Sequence, residues 1–355
     1  MYLEKVIDYA LSQIKDRRSI NSIFYLLKGK KSIQTIHDAE IFQLERFFGI
    51  HKTLHIDTFE AVIQQMRSDG LIMKGAIKDS FLSVTEIEKV PTDFRAYFNG
   101  LKFESIAPTF MNRLLLLIQT YTNSQMKNKS FIPIIDIPDI IAWVKYFYRQ
   151  NKNREADILP EMYHELHCLL QYVDDMEASL FVDRLTGYQH YGMSTGQLKE
   201  KYKISKDDVI LLHTAVVHKM ISLIHQEKKD YPLLQGLVDY EEYTSILTAS
   251  AQKTFRFFKM GLTVEEISRK RGLKKNTIYD HMVEIALHEQ EFPFHQFVDE
   301  QAQPLILQAI KTNPSHRLRD IRSTVGDSIS YFQIRLMLTK FTRLTRDKHG
   351  KQQTT

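Results

Sequence analysis

At 355 residues the chain is too long for one ordinary hydrophobic core and fits roughly two to four domains. Hydrophobic residues make up 43% and charged residues 26%, a balance that excludes a wholly disordered chain. The net charge of +5 is modest, and the longest apolar runs (114–118 and 132–137) fall far short of the ~18 residues of a membrane helix, so no membrane role is expected.

The N-terminal string MYLEKVIDYALSQIK mixes charges into a helical apolar period and shows no export signal. A single cysteine, Cys168, fits a reducing compartment, so a cytoplasmic protein is expected. Helical periodicity with only 13 Gly and 9 Pro predicts a mainly α, multi-domain chain. Its N-terminal domain is winged-helix-like with a small β-hairpin, its middle is helical, and its C-terminal domain is a helix-turn-helix. The expected divisions are 1–90, 91–175, 176–240 and 241–355.

In the first segment, helices are predicted over 20–27, 39–48 and 57–68, with Asp57 as a cap and Phe59, Val62, Ile63 and Met66 facing inward. The string LIMKGAIKDSFLSVTE then alternates around a turn-like Lys-Asp-Ser. Because the third helix exposes only Gln64, Gln65 and Arg67, this segment suits a structural or protein-binding winged helix better than a DNA reader, which needs more positive charge. The middle contains polar loops over 123–129 and 151–155. In the third segment Ser194 and Ser205 are predicted caps, with Asp208 completing a capping box for the second, whose acidic start repels phosphate.

The fourth segment carries the functional reading. A helix ends at Gly261, Thr263 and Glu266 form a capping box for the next, Gly272 breaks it, and Ile278, Met282 and Ile285 make the inner stripe of a third. Arg269, Lys270, Arg271, Lys274 and Lys275 cluster around the turn, where a recognition helix meets phosphates. Its outer face is expected to be free for the major groove, with Asn276, Thr277, Tyr279 and Asp280 nearest the bases. From Lys311 onward ten Lys/Arg face three Asp, which suggests a polyanion-facing end. Arg317, Arg319, Arg322 and Arg335 are therefore further candidates. A trihelical protein-interaction module with a solvated basic turn accounts for the same residues.

The string GLTVEEISRKRGLKKNTIYDHM resembles the helicase helix-turn-helix domain of some RecQ-family DNA helicases, matching its pattern at Gly261, Leu262, Thr263, Ile267, Arg271, Gly272, Leu273, Thr277, Ile278 and His281. Ile329, Ser330, Tyr331, Ile334 and Arg335 fall on a second recurring motif of that domain. The whole chain resembles the bacterial YpbB family of stand-alone proteins with this C-terminal domain and no motor. The resemblance implies a nucleoid-associated accessory factor that meets duplex or forked DNA, His281 included, and works with a RecQ-type helicase in repair, recombination or fork processing. Lys274 departs from the pattern by standing where a capping Ser is common, with Asn276 the alternative cap.

No catalytic set is legible, so the chain is expected not to be an enzyme. GKKS lacks the first Gly and the Ser/Thr of a phosphate loop, and HELHC has Cys168 where a zinc-protease helix has its second His. Neither a cofactor nor a metal is expected. A pure protein adaptor and a sequence-specific transcription regulator are the remaining alternatives.

Overall fold

The structure, a computed structural model, describes residues 1–76, 79–84, 97–128, 130–238, 247–313 and 317–352, with the side chains of Ile33, Ala249 and 345–352 excepted. The expected boundaries near 90 and 240 and part of the expected hairpin turn, Lys78 included, lie outside the described residues.

Helix α1 (Tyr2–Ile14) turns Leu3, Val6, Ile7, Ala10, Leu11 and Ile14 inward at helical spacing. Its own sequence supplies no side-chain cap. Instead the carboxylate of Asp208, far along the chain, accepts from the Tyr2 and Leu3 amides at 2.7 and 3.0 Å. Three helices follow, α2 (Asn21–Leu27), α3 (Ile33–Ile41) and α4 (Ile56–Ser68), and then the antiparallel pair β1 (Ile72–Lys74) and β2 (Phe81–Ser83), with Met73 opposite Leu82. Asp16 holds this ribbon to the end of α1 by accepting from the Ala76 amide at 2.7 Å and from the Ser80 hydroxyl.

Two local expectations need correction. The helix predicted over 39–48 begins earlier, because Ser32 caps it through the Thr35 amide, and it ends where Gln43 takes φ 56°. Asp57 lies in the first turn of α4, with His55 at the cap position, while Phe59, Val62, Ile63 and Met66 are buried as predicted.

The middle comprises α5 (Gly100–Phe103), α6 (Ile106–Gln125), α7 (Pro138–Gln150), α8 (Glu155–Leu170), α9 (Asp175–Val182), α10 (Thr195–Tyr202), α11 (Lys206–Gln226) and α12 (Pro232–Gln235). Ser194 caps α10 in a reciprocal box with Gln197. Ser205 caps α11 through the Asp208 amide, but the Asp208 carboxylate serves α1 instead of closing the expected box.

Helix α11 is shared between two cores. Val209, Leu211, Leu212 and Ala215 pack with α1 to α4, whereas Val216, Met220, Ile221 and Ile224 pack with α6 and α8. Among the described residues it is the one helix long and apolar enough to cross a membrane, and two-thirds of it is buried inside the protein.

A third core joins α13 (Ala249–Lys259), α14 (Val264–Arg271), α15 (Lys275–His288), α16 (Ala302–Thr312), α17 (Leu318–Val325) and α18 (Tyr331–Gln352). It meets the N-terminal core along α3: Ile41 packs against both, and Leu287 of α15 belongs to the N-terminal cluster. His37 of α3 is buried at this seam. Desolvation, then the cations Arg335, Arg18 and His288, push its pKa down to about 3.

Candidate nucleic-acid interface

Helices α13, α14 and α15 form the helix-turn-helix. Thr263 accepts from the Glu266 amide at 3.3 Å, and Glu266 accepts from the Thr263 amide at 2.8 Å, so the predicted capping box fixes the start of α14. Gly272 ends that helix with φ 63°, a left-handed value that an L side chain adopts only at a cost. The Ser268 hydroxyl donates to the Leu273 carbonyl at 2.6 Å and tightens the turn. Lys274 takes the N-cap position of α15, extended and without a side-chain cap bond. Asn276 therefore lies inside the first turn and does not cap it.

Ile278, Met282 and Ile285 are fully buried, as the stripe predicts. The opposite face is not free, which corrects the sequence expectation. Every residue from His281 to Leu287 is buried, because α13, α18 and α3 pack around this part of the helix. Asp280 holds Arg335 of α18 at 2.7 Å, and Tyr279 stacks on Phe332 with ring centroids 4.2 Å apart. Only the first turn and a half of α15 reaches the surface. A helix-turn-helix meets bases with the N-terminal residues of this helix, and of the four expected there Asn276 is exposed while Thr277, Tyr279 and Asp280 are half-buried.

The candidate contact residues accordingly separate. Arg271 points back into the protein: its guanidinium donates to the Ser250 carbonyl at 2.7 Å, to the Ser250 hydroxyl at 3.0 Å and to Thr254. His281 is buried beside it with Nδ1 2.8 Å from the Thr254 hydroxyl, and burial, then Arg271, lowers its pKa. Neither side chain presents itself to solvent as a DNA ligand.

Arg335 is paired with Asp280, and Arg322 lies 4.7 Å over the Tyr331 ring and 3.4 Å from the Asp327 carboxylate. Arg317 is half-buried at the N-cap position of α17. Thr277 is half-buried, with its amide bonded to the Lys274 carbonyl.

Left at the surface are Arg269, Lys270, Lys274, Lys275, Asn276 and Arg319. Among the described residues, Arg269, Lys270, Lys274 and Arg319 take part in no ion pair, whereas Lys275 meets Glu265 at 2.8 Å. That bond holds the exposed Glu265 carboxyl below its usual range and raises Lys275. Arg269, Lys270, Lys274 and Lys275 thus form a basic knob around the turn into α15, where the helix dipole also favours an anion, while Arg319 lies on α17.

Two residues that hold the knob in place escaped sequence reasoning. Glu284, buried on α15, accepts from the amide of Thr248, the residue that caps α13, at 2.5 Å; burial raises its pKa. Its signal was a lone carboxylate in the apolar run 282–287. Arg343 donates to the Glu289 carbonyl at 2.7 Å and closes the C-terminal end of α15. With Lys340 bonded to Gln303 at 2.8 Å, much of the basic C-terminal charge serves packing within the domain.

Outside this module, Cys168 lies half-buried with its sulfur 3.9 Å from His164 Nε2. Among the described residues no three His, Cys, Asp or Glu converge on a common point.

Comparison with known proteins agrees with this geometry. No solved structure matches the chain. It is 28% identical over 345 residues to Protein YpbB of Bacillus subtilis (strain 168), an alignment covering 96% of this chain and 97% of that protein. Residues 250–338 match the family described as a helix-turn-helix domain, so the module built by α13 to α15 and its support from α16 to α18 is a helix-turn-helix domain by sequence as well as by form.

Proposed function

We propose that the chain is a non-catalytic, nucleoid-associated DNA accessory protein whose helix-turn-helix domain holds the phosphate backbone and does not read a base sequence. The observation that carries this reading is the basic knob of Arg269, Lys270 and Lys274 at a helix N-terminus whose outer face is otherwise covered by α18 and α3. Phosphate contacts need only exposed cations and a favourable dipole, whereas base readout needs a helix face laid in the groove. The resemblance of 261–281 and 329–335 to the accessory domain of RecQ-family helicases supports cooperation with such a helicase on duplex or forked DNA, in repair, recombination or fork processing.

The test is fluorescence anisotropy with labelled single-stranded, duplex and forked DNA across a salt series. Duplex or forked DNA binds with little dependence on sequence, and Lys274→Ala lowers the salt slope by about one unit. An unchanged slope removes Lys274 from the interface. Purified RecQ-type helicase unwinding a forked duplex faster in the presence of the chain tests the partnership separately.

The covered face of α15 favours a second reading, a protein adaptor in which the domain serves as a packing unit. That reading predicts helicase stimulation without any salt-sensitive DNA binding.

A further inference from the structure

Beside the basic knob, on the far side of α14, lies an open cleft of about 790 Å³. Its wall is a run of aromatic rings left half-buried: Phe255 and Phe258 of α13, Tyr279 of α15, Phe297, and Phe332 of α18. Four of the rings are continuous. Phe258 and Phe297 lie 5.8 Å apart, Phe297 meets Phe332 edge-on at 5.7 Å, and Phe332 stacks on Tyr279 at 4.2 Å.

The neighbouring Phe292 and Phe294 of the same cluster are buried, whereas these five stay half-buried along the cleft. Aromatic faces held rigid by one another and open to solvent make good anchor pockets, since they are already ordered when a partner arrives.

The rim has the opposite sign to the rest of the domain. Glu265, Glu289 and Glu291 border the cleft, and the one lysine in the lining, Lys259, sits 4.3 Å over the Phe255 ring and 3.9 Å from Glu289. Glu265 already meets Lys275 and Glu289 already meets Lys259, so the surplus at the rim is the exposed Glu291, which disfavours a phosphate chain and favours a cation. Lys and Arg side chains also stack favourably on exposed aromatic faces.

We infer that the cleft binds a short cationic peptide segment of a protein partner, with an aromatic or large aliphatic side chain seated among Phe258, Phe297 and Phe332 and flanking Lys or Arg residues meeting Glu291 and its neighbour Glu289. The inference rests on the cleft alone and not on DNA contact by the knob. The Glu265–Lys275 pair marks the border between the two surfaces, so a partner protein and DNA are held side by side on one domain.

The test titrates the full chain into fluorescein-labelled peptides that carry a central Trp, Phe or Leu flanked by lysines, with glutamate-flanked versions as controls and a labelled oligo-dT as the nucleic-acid probe. A lysine-flanked peptide binds saturably and its glutamate-flanked counterpart does not. Phe258→Ala weakens that binding by roughly thirty-fold, as loss of a hot-spot ring does. Glu291→Lys, at an exposed position that leaves the fold intact, weakens it several-fold and keeps the test decisive if Phe258→Ala fails to fold.

Three results overturn the proposal: no saturable binding of any lysine-flanked peptide up to millimolar protein, equal binding of both charge versions, or peptide binding indifferent to Glu291→Lys. Oligo-dT that binds through Phe258 and is tightened by Glu291→Lys overturns it as well and makes the cleft a base-stacking platform. Since Lys274→Ala leaves peptide binding unchanged, failure here is distinguishable from failure of the DNA reading.

Discussion

Arg271 and Lys274 stand three residues apart in one basic string and do different work. The Arg271 guanidinium is spent on the exposed Ser250 and the buried Thr254, so Arg271→Ala is expected to destabilise the domain by about 1 kcal/mol, the net worth of such hydrogen bonds. Lys274→Ala, at an exposed site, leaves the melting temperature unchanged and weakens DNA binding. Thermal melts paired with anisotropy check both, and a stable Arg271→Ala variant refutes the packing role.

Glu265 offers a converse case, because it competes with phosphate for Lys275. Glu265→Gln should tighten DNA binding several-fold at low salt, with the effect fading as salt rises.

His37 and His218 supply a pH dependence. Both are buried, and desolvation chiefly pushes each pKa down to about 3 from the 6.5 of an exposed imidazole. The unfolded chain therefore binds more protons between pH 6.5 and 3. Stability is full above 6.5 and falls through that window, by at most about 1.4 kcal/mol per pH unit for each histidine. Urea unfolding at pH 7 and 5 checks the sign; replacing His218, whose Nδ1 accepts from the Asn99 amide at 3.1 Å, by Gln should flatten the profile.

At the scale of elements, caps decided what could be read in advance. Thr263 with Glu266, three residues on, and Gly272 are local signals, and the helix they bound lies where the sequence puts it; Ser194 caps α10 as expected, in a box with Gln197 that the expectation did not include. Bonds between distant elements were not legible in the same way. Asp208 looked like one half of a capping box with Ser205, but its carboxylate closes the start of α1. Asp208→Ala should cost about 1–2 kcal/mol, as loss of a cap does, and the loss should show in hydrogen exchange at the first turn of α1 while the first turn of α11 keeps its Ser205 bond.

The outer face of α15 was misjudged for the same reason. The sequence puts Asn276, Thr277, Tyr279 and Asp280 on the outer side of the helix, and only the path of α18 shows that Tyr279 and Asp280 are engaged there by Phe332 and Arg335.

Across the whole molecule, α11 makes two of the three cores depend on each other. It lends Val209 to Ala215 to the N-terminal core and Val216 to Ile224 to the middle one, and Leu180 and Leu198 also belong to the former. A fragment of residues 1–175 should therefore lack cooperative unfolding, whereas 1–238 should melt as one unit; circular dichroism of both fragments checks this.

The sharing also imposes an order on synthesis. A ribosome making the chain releases α1 to α4 well before α11 exists, and at roughly 5–20 residues per second the unfinished apolar face stays open for roughly 7–30 s. The first quarter of the protein is thus a client for whatever shields nascent chains, until the helix that completes it leaves the exit tunnel.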